Sequence, residues 1–326
     1  MKIRVWAEYL KPGDVVKKKV TGLLKRYDVC LGMAFPPGSM NREYAGMMKA
    51  YEGEGLEVAL WPLLDDESGY WVSERNADQF FDLVRRMYDW AEGRKFSIPW
   101  LAVDLEPPVY QLNRVKKAAG VRRAAEAVRI YMENRDRSRF YEAARRFGQA
   151  QEHVHARGAR TLAAAMPLVV EDLVRCSTGI QNALETPVSV VHWDVVSFML
   201  YTSMSTGYLK RLGMKPEDSR WYLYSVCSDA KNCLWDRAGV SIGVTGTGKL
   251  GDEPYYETPE ELLPDMRAAK AALIEDVAIY NLEGILRGGK PEKWFEALVA
   301  AEPEIPRRSP KVDAFRRAMQ LAAGFA

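Results

Sequence analysis

Two carboxylic acids two residues apart, Asp104 and Glu106, end the apolar run Ile-Pro-Trp-Leu-Ala-Val-Asp-Leu-Glu, and Pro107 and Pro108 stop it. Side chains of an extended strand alternate faces, so residues two apart share one. Asp104 and Glu106 are then neighbours on the face of Ala102. Leu101, Val103 and Leu105 take the other face and suit packing under helices. Two adjacent carboxyls resist ionising together, so one can keep its proton near neutral pH and act as a general acid. Breaking a glycosidic bond needs such a protonated carboxyl against the leaving oxygen, together with a nucleophile, a base or an internal acetamido group. Glu106 is the candidate acid, with Asp104 as its modulator.

The elements around this run tell where the pair would stand. Short apolar runs recur at Lys2–Glu8, Asp28–Phe35, Glu57–Leu63, Trp100–Glu106, Thr161–Leu168, Val195–Thr202, Val240–Thr245 and Asp276–Leu282. Several are rich in Val, Leu and Ala with little alternation, as parallel strands covered on both sides are. Between them lie helical patterns over Asn76–Glu92, Val115–Asn134, Ser138–His155, Glu217–Trp235 and Pro259–Ile274. Gly93 suits a helix stop, and Thr258-Pro259-Glu260-Glu261 a helix start. Alternating strands and helices predict right-handed parallel crossovers. Eight strands favour an α/β fold of the (β/α)8 barrel kind, with residues 1–326 as a single domain and a closing helical segment from about residue 291. Gly32 and Ala34 on strand two, and Ala163 and Ala165 on strand five, are small residues that a narrow barrel interior could set against Trp6 or Trp61.

Barrels of this kind carry their chemistry at the C-terminal ends of the strands. That rule gathers Glu8, Trp61, Asp65, Trp71, Asp104, Glu106, Met166, Met199, Tyr201, Tyr280, Asn281 and Glu283 at one mouth. The sum is acidic and aromatic, which suits a carbohydrate: rings stack on sugar faces and carboxylates bond hydroxyls. Glu8 and Glu283 are candidates for a second carboxylate. Strand seven ends in Val-Thr-Gly-Thr-Gly and offers no acid before Asp252 and Glu253.

These motifs resemble the glycoside hydrolase family 18 barrels, the chitinase-like group. That family carries Asp-x-x-Asp-x-Asp-x-Glu on strand four, and Asp104 and Glu106 fill its last two places, while Pro99 and Ala102 stand where the earlier acids would be. On strand six the family has Met-x-Tyr-Asp; here Met199-Leu200-Tyr201 fits and Thr202 replaces the acid. For the family's strand-eight tryptophan the nearest aromatic is Tyr280. The resemblance implies a barrel hydrolase acting with help from the substrate's N-acetyl group, Glu106 giving the proton and Tyr201 steadying the intermediate. The losses at Ala102 and Thr202 bear on the acetamido part of that scheme.

The remaining composition narrows the classes. With 48% hydrophobic and 28% charged residues the chain has the make-up of a soluble globular protein. A net charge of +2 gives no reason to expect nucleic acid or an anionic membrane as partner. Cys30, Cys176, Cys227 and Cys233 lack the spacing of a zinc site, and there are three histidines, so neither metal nor cofactor is expected. His153 and His155 read as solvated, and His192 precedes strand six, the wrong end for catalysis. Gly243 to Lys249 nearly spells a phosphate-binding loop, but Leu250 replaces its hydroxyl residue and no helix pattern follows. Met1 runs straight into a strand pattern with no leader-like apolar segment, which reads as cytoplasmic, or extracellular if a leader has been trimmed away. Two other classes fit the same residues. One is a barrel that binds carbohydrate without cleaving it. The other is a metal-dependent isomerase or aldolase-type barrel with Asp104, Glu106 and Glu283 as oxygen ligands.

Overall fold

A computed structural model describes residues 1–118, 121–209, 213 and 215–324. Its centre is a closed parallel barrel of eight strands in chain order. These are β1 (Lys2–Ala7), β2 (Val29–Phe35), β3 (Val58–Pro62), β4 (Trp100–Leu105), β5 (Arg160–Ala165), β6 (Val195–Met199), β7 (Ala238–Gly243) and β8 (Asp276–Tyr280). The ring closes where β1 pairs with β8, Lys2 against Asp276 and Trp6 against Tyr280. Helices follow the strands on the outside, among them Arg42–Glu54, Ala77–Arg94, Arg137–His155, Pro216–Leu234 and Pro259–Ala271.

Local chemistry sets the helix ends. Asn41 opens the first of these by accepting from the amides of Glu43 and Tyr44 at 2.9 and 3.1 Å. At the helix start expected from the sequence, Thr258 and Glu261 form a capping box, with Pro259 in the first turn. The helix expected to stop at Gly93 runs on to Arg94 and ends at Lys95, which takes a left-handed φ of 58°.

Burial sorts each strand by parity. On β4, Leu101, Val103 and Leu105 pack outward in the large core under the helices, while Trp100 and Ala102 face the barrel interior. Trp6, Ala34, Ala59, Trp61, Leu162, Val195 and Ala278 share that interior. Ala163 and Ala165 lie in the outer core, so the inward residues of β5 are Leu162 and Ala164, the opposite of the expected parity. Gly32 is small for the expected reason: a methyl there would sit 2.3 Å from Cε3 of the Trp6 indole.

The floor of the barrel is ionic. The Arg4 guanidinium donates to both oxygens of Asp276 at 2.9 Å across the β1–β8 seam and lies 4.1 Å over the Trp100 ring. On the outside, the final helix Pro310–Gly324 is tied down by Arg316, which reaches Glu171 at 2.6 Å and Asp229 at 2.8 Å. Among the described residues no helix is long and apolar enough to cross a membrane.

Gly32→Ala should cost about 1–3 kcal/mol through overpacking against Trp6. Urea unfolding would show this as a lower midpoint with an unchanged slope.

Candidate active site

Several strands end sooner than their sequence patterns suggest, and the chemistry sits on the first residues released. Glu8 follows β1, Glu106 follows β4 and Met166 follows β5. At β4 a second device fixes the exit. The β3–β4 ladder covers only Ala59–Trp100 and Leu60–Leu101 before the chain leaves β3. A later segment then returns to β4. The Val72 amide donates to the Asp104 carbonyl at 3.1 Å, and the Glu106 amide donates to the Val72 carbonyl at 3.2 Å. This return brings Tyr70 and Trp71 to the mouth beside the carboxyl pair.

The mouth opens on a cavity of about 840 Å³, lined by Glu8, Trp61, Trp71, Asp104, Glu106, Met166, Met199, Tyr201 and Tyr280 of the expected residues. That volume is of small-molecule size. Glu8 is the most firmly held acid: one oxygen accepts from Tyr70 Oη at 2.5 Å and the other from Tyr280 Oη. Burial pushes its carboxyl above the usual range, against the pull of those tyrosines. Asp104 is 6% exposed, and its Oδ1 has no hydrogen-bond partner. Burial, then the charges of Glu106 and Glu8, hold it well above an ordinary aspartate. Glu106 is raised as well, by burial and by Glu8 and Glu253. Crowded carboxyls in a poorly solvated site must share protons, so the pair and its neighbours titrate together.

Tyr201 completes this group. Its ring lies 5.8 Å from that of Tyr280, and its hydroxyl is kept protonated by burial and by Asp104 and Glu106. Nearby, Ser241 accepts from Trp6 Nε1 at 3.3 Å and pairs with Ser197 at 2.9 Å. Trp6 meets Trp61 edge to face at 5.4 Å, and the Trp61 Nε1–H is buried without an acceptor.

Three expected residues take other posts. Asp65 lies exposed in a turn and accepts from the Ser68 amide at 2.7 Å. Asn281 is fully buried and caps the helix Leu282–Arg287 by accepting from the Gly284 amide. Glu283 turns away and accepts from the amides of Tyr9 and Leu10 at 2.7 and 3.0 Å. None of the three lines the cavity. Glu283 therefore does not converge with Asp104 and Glu106, the set that the metal-dependent alternative required.

One acid was missed. The loop after β7, with its glycine-rich near-match to a phosphate cradle, turns its amides on its own chain: Gly248 and Leu250 donate to Glu253 at 3.2 and 2.9 Å. Glu253 is thereby carried back to the cavity wall, where its charge reaches Glu106. The signal was there, since glycines that could wrap a phosphate can wrap a carboxylate from the same loop. Lys249 pairs with Asp66 at 2.7 Å and lies 4.0 Å over the Tyr70 ring.

The barrel resembles those of glycoside hydrolases. The glycoside hydrolase domain of PgaB (BpsB) from Bordetella bronchiseptica aligns with a TM-score of 0.53 at 11% identity, over 98% of this chain and 99% of that one. A chitinase from Chromobacterium violaceum aligns with a TM-score of 0.54 at 10% identity, over 92% and 98%. At such identities the likeness is one of fold. No protein-family model matches the sequence, and no curated protein does.

Thr202, which stands where the family 18 pattern has an acid, has a partner of its own. Its hydroxyl donates to the buried Asp265 of helix Pro259–Ala271 and meets the Tyr256 hydroxyl, which also reaches Asp265 at 3.0 Å. Burial raises the Asp265 carboxyl to about 7. A carboxyl is thus present behind Thr202, one layer outside the cavity.

The raised acids carry a stability cost with a definite sign. A carboxyl whose folded pKa exceeds its unfolded value binds its proton more tightly when folded, so stability is lost as pH climbs from about 4.3 through the folded value. Glu106→Gln should therefore raise the melting temperature at pH 8 and leave it nearly unchanged at pH 4. The gain at pH 8 is expected to be at least about 1.4 kcal/mol, the worth of one unit of pKa displacement. Thermal melts of both proteins across that range would measure it.

Proposed function

We propose that this barrel is a glycoside hydrolase in which Glu106 protonates the leaving oxygen. The Asp104–Glu106 pair, held at the mouth of the barrel with its pKa values raised, is the observation that carries this reading. A protonated acid near neutral pH is what cleavage of an unactivated glycosidic bond needs. In the step, the proton of Glu106 passes to the bridging oxygen, and the bond from that oxygen to the anomeric carbon breaks. The positive charge that develops on the sugar ring is quenched by a water that bonds to the anomeric carbon and returns a proton to the Glu106 carboxylate. Asp104 faces that charge from β4, and Glu8 from β1. Glu8 is fixed by Tyr70 and Tyr280, so it reorganises little as the charge forms. The Tyr201 hydroxyl, kept protonated beside the pair, steadies the reacting sugar. Trp61 and Trp71 offer rings for the sugar face. The glycoside hydrolase domain and the chitinase that share the fold support this class of substrate.

The test is turnover of a panel of aryl glycosides and soluble polysaccharides, N-acetylated and not. Glu106→Gln keeps the size and removes the proton, and should lower kcat by about 10²–10⁴-fold. Sugar binding without turnover by the wild type would make this a carbohydrate-binding barrel instead.

The pH profile supplies a second check. Because the acid must be protonated, activity falls as pH rises through the Glu106 pKa. Glu8 raises that pKa by its charge, so Glu8→Gln should move the alkaline limb of kcat/KM to lower pH. An unmoved limb would take Glu8 out of the electrostatic set.

A further inference from the structure

The cavity has two unlike halves. Glu8, Trp61, Asp104, Glu106 and Tyr280 come from β1, β3, β4 and β8 or their exits. The wall across from β1 and β3 belongs to β5, β6 and β7 and to helices beside them. Met166 follows β5, Met199 ends β6, and Met204 lies in the helix Thr202–Leu209. Leu250 comes from the loop after β7, and the fully buried Leu223 of Pro216–Leu234 backs this wall.

Unspent polar atoms divide the same way. On the acidic half, Asp104 Oδ1 and Trp61 Nε1 are buried with no partner. On the other half Lys116, Ser205, Ser219 and Thr202 are already engaged. Lys116 is paired with Asp252 at 2.7 Å and bonds the Leu250 carbonyl. Ser205 donates to the Thr202 carbonyl, Ser219 accepts from Thr206, and Thr202 is held by Asp265. A second sugar placed there would turn its hydroxyls to thioether and isobutyl groups and lose hydration without replacement. An alkyl chain would lose only water, and methionines adapt readily to its shape.

We propose that the substrate is a glycoside of an apolar alcohol, with the sugar against the carboxyl and tryptophan half and an alkyl leaving group lying along Met166, Met199, Met204 and Leu250. Glu106, at the exit of β4 next to β5, stands at the border between the halves, where the bridging oxygen would lie. This inference rests on the carboxyl half being the sugar site.

The experiment compares binding of octyl and methyl glycosides of glucose and of N-acetylglucosamine, below the micelle concentration, by titration calorimetry on wild type and Glu106→Gln. The octyl member of at least one pair should bind tenfold or more tightly than its methyl partner. Leu250→Asn and Met204→Asn, each checked for an unchanged far-ultraviolet spectrum and melting curve, should reduce that ratio to threefold or less while leaving the methyl glycoside affinity within twofold. A ratio below threefold in the wild type, a ratio that neither variant alters, or no binding of any octyl glycoside would overturn the proposal. Tight octyl binding together with no hydrolysis of any glycoside would instead remove the catalytic reading and leave the apolar subsite standing.

Discussion

The β1–β8 seam is the constraint on which the rest depends. Both strands send three alternate residues inward, Arg4, Trp6 and Glu8 against Asp276, Ala278 and Tyr280. The register pairs Arg4 with Ala278 and Trp6 with Tyr280, yet the side-chain bonds run Arg4 to Asp276 and Glu8 to Tyr280, each offset by two residues. The offset is the slant that closing a parallel barrel imposes on its strands. One closure thus bolts the floor with an ion pair and, further along β1, hands Glu8 its tyrosine donor at the mouth.

Above that floor, charge is distributed unevenly. Glu8, Asp104, Glu106 and Glu253 share the cavity, and the nearby lysines, Lys116 and Lys249, spend their charge on Asp252 and Asp66 at the rim. Among the described residues none of these acids is ion-paired, and burial with mutual repulsion pushes Glu8, Asp104 and Glu106 toward holding protons. Protonation at the mouth is therefore a property of the whole assembly of loops. The β7 loop, the β3 return and the end of β1 each deliver an acid or a donor to it.

Much of this was legible in the chain. The eight apolar runs and the Asp-x-Glu pair led to the barrel and to the position of Asp104 and Glu106 on it, because strand periodicity and the place of chemistry in such barrels are local, general rules. The parity of β5 was not legible. In Leu162-Ala163-Ala164-Ala165 every residue is small or apolar enough for either face, so no alternation marks which side is inward. Nor were the posts of Asn281 and Glu283. Both follow β8 and look free to serve, but nearby backbone amides claim them first, at a helix start and at the turn after β1. Glu253 escaped because its route back to the mouth depends on a loop conformation, and loops obey no period.

The tryptophans at the mouth give the protein an optical property of its own. Trp6, Trp61 and Trp71 are 5%, 4% and 6% exposed, and all three border the cavity. Their surroundings change with whatever fills that space and with the charge on the acids beside them, whereas Trp235, 75% exposed at a helix end, reports only bulk solvent. Buried Trp100, Trp193 and Trp294 stand off the cavity and add a constant background, so a change in the shielded part of the intrinsic fluorescence reads cavity occupancy without any label.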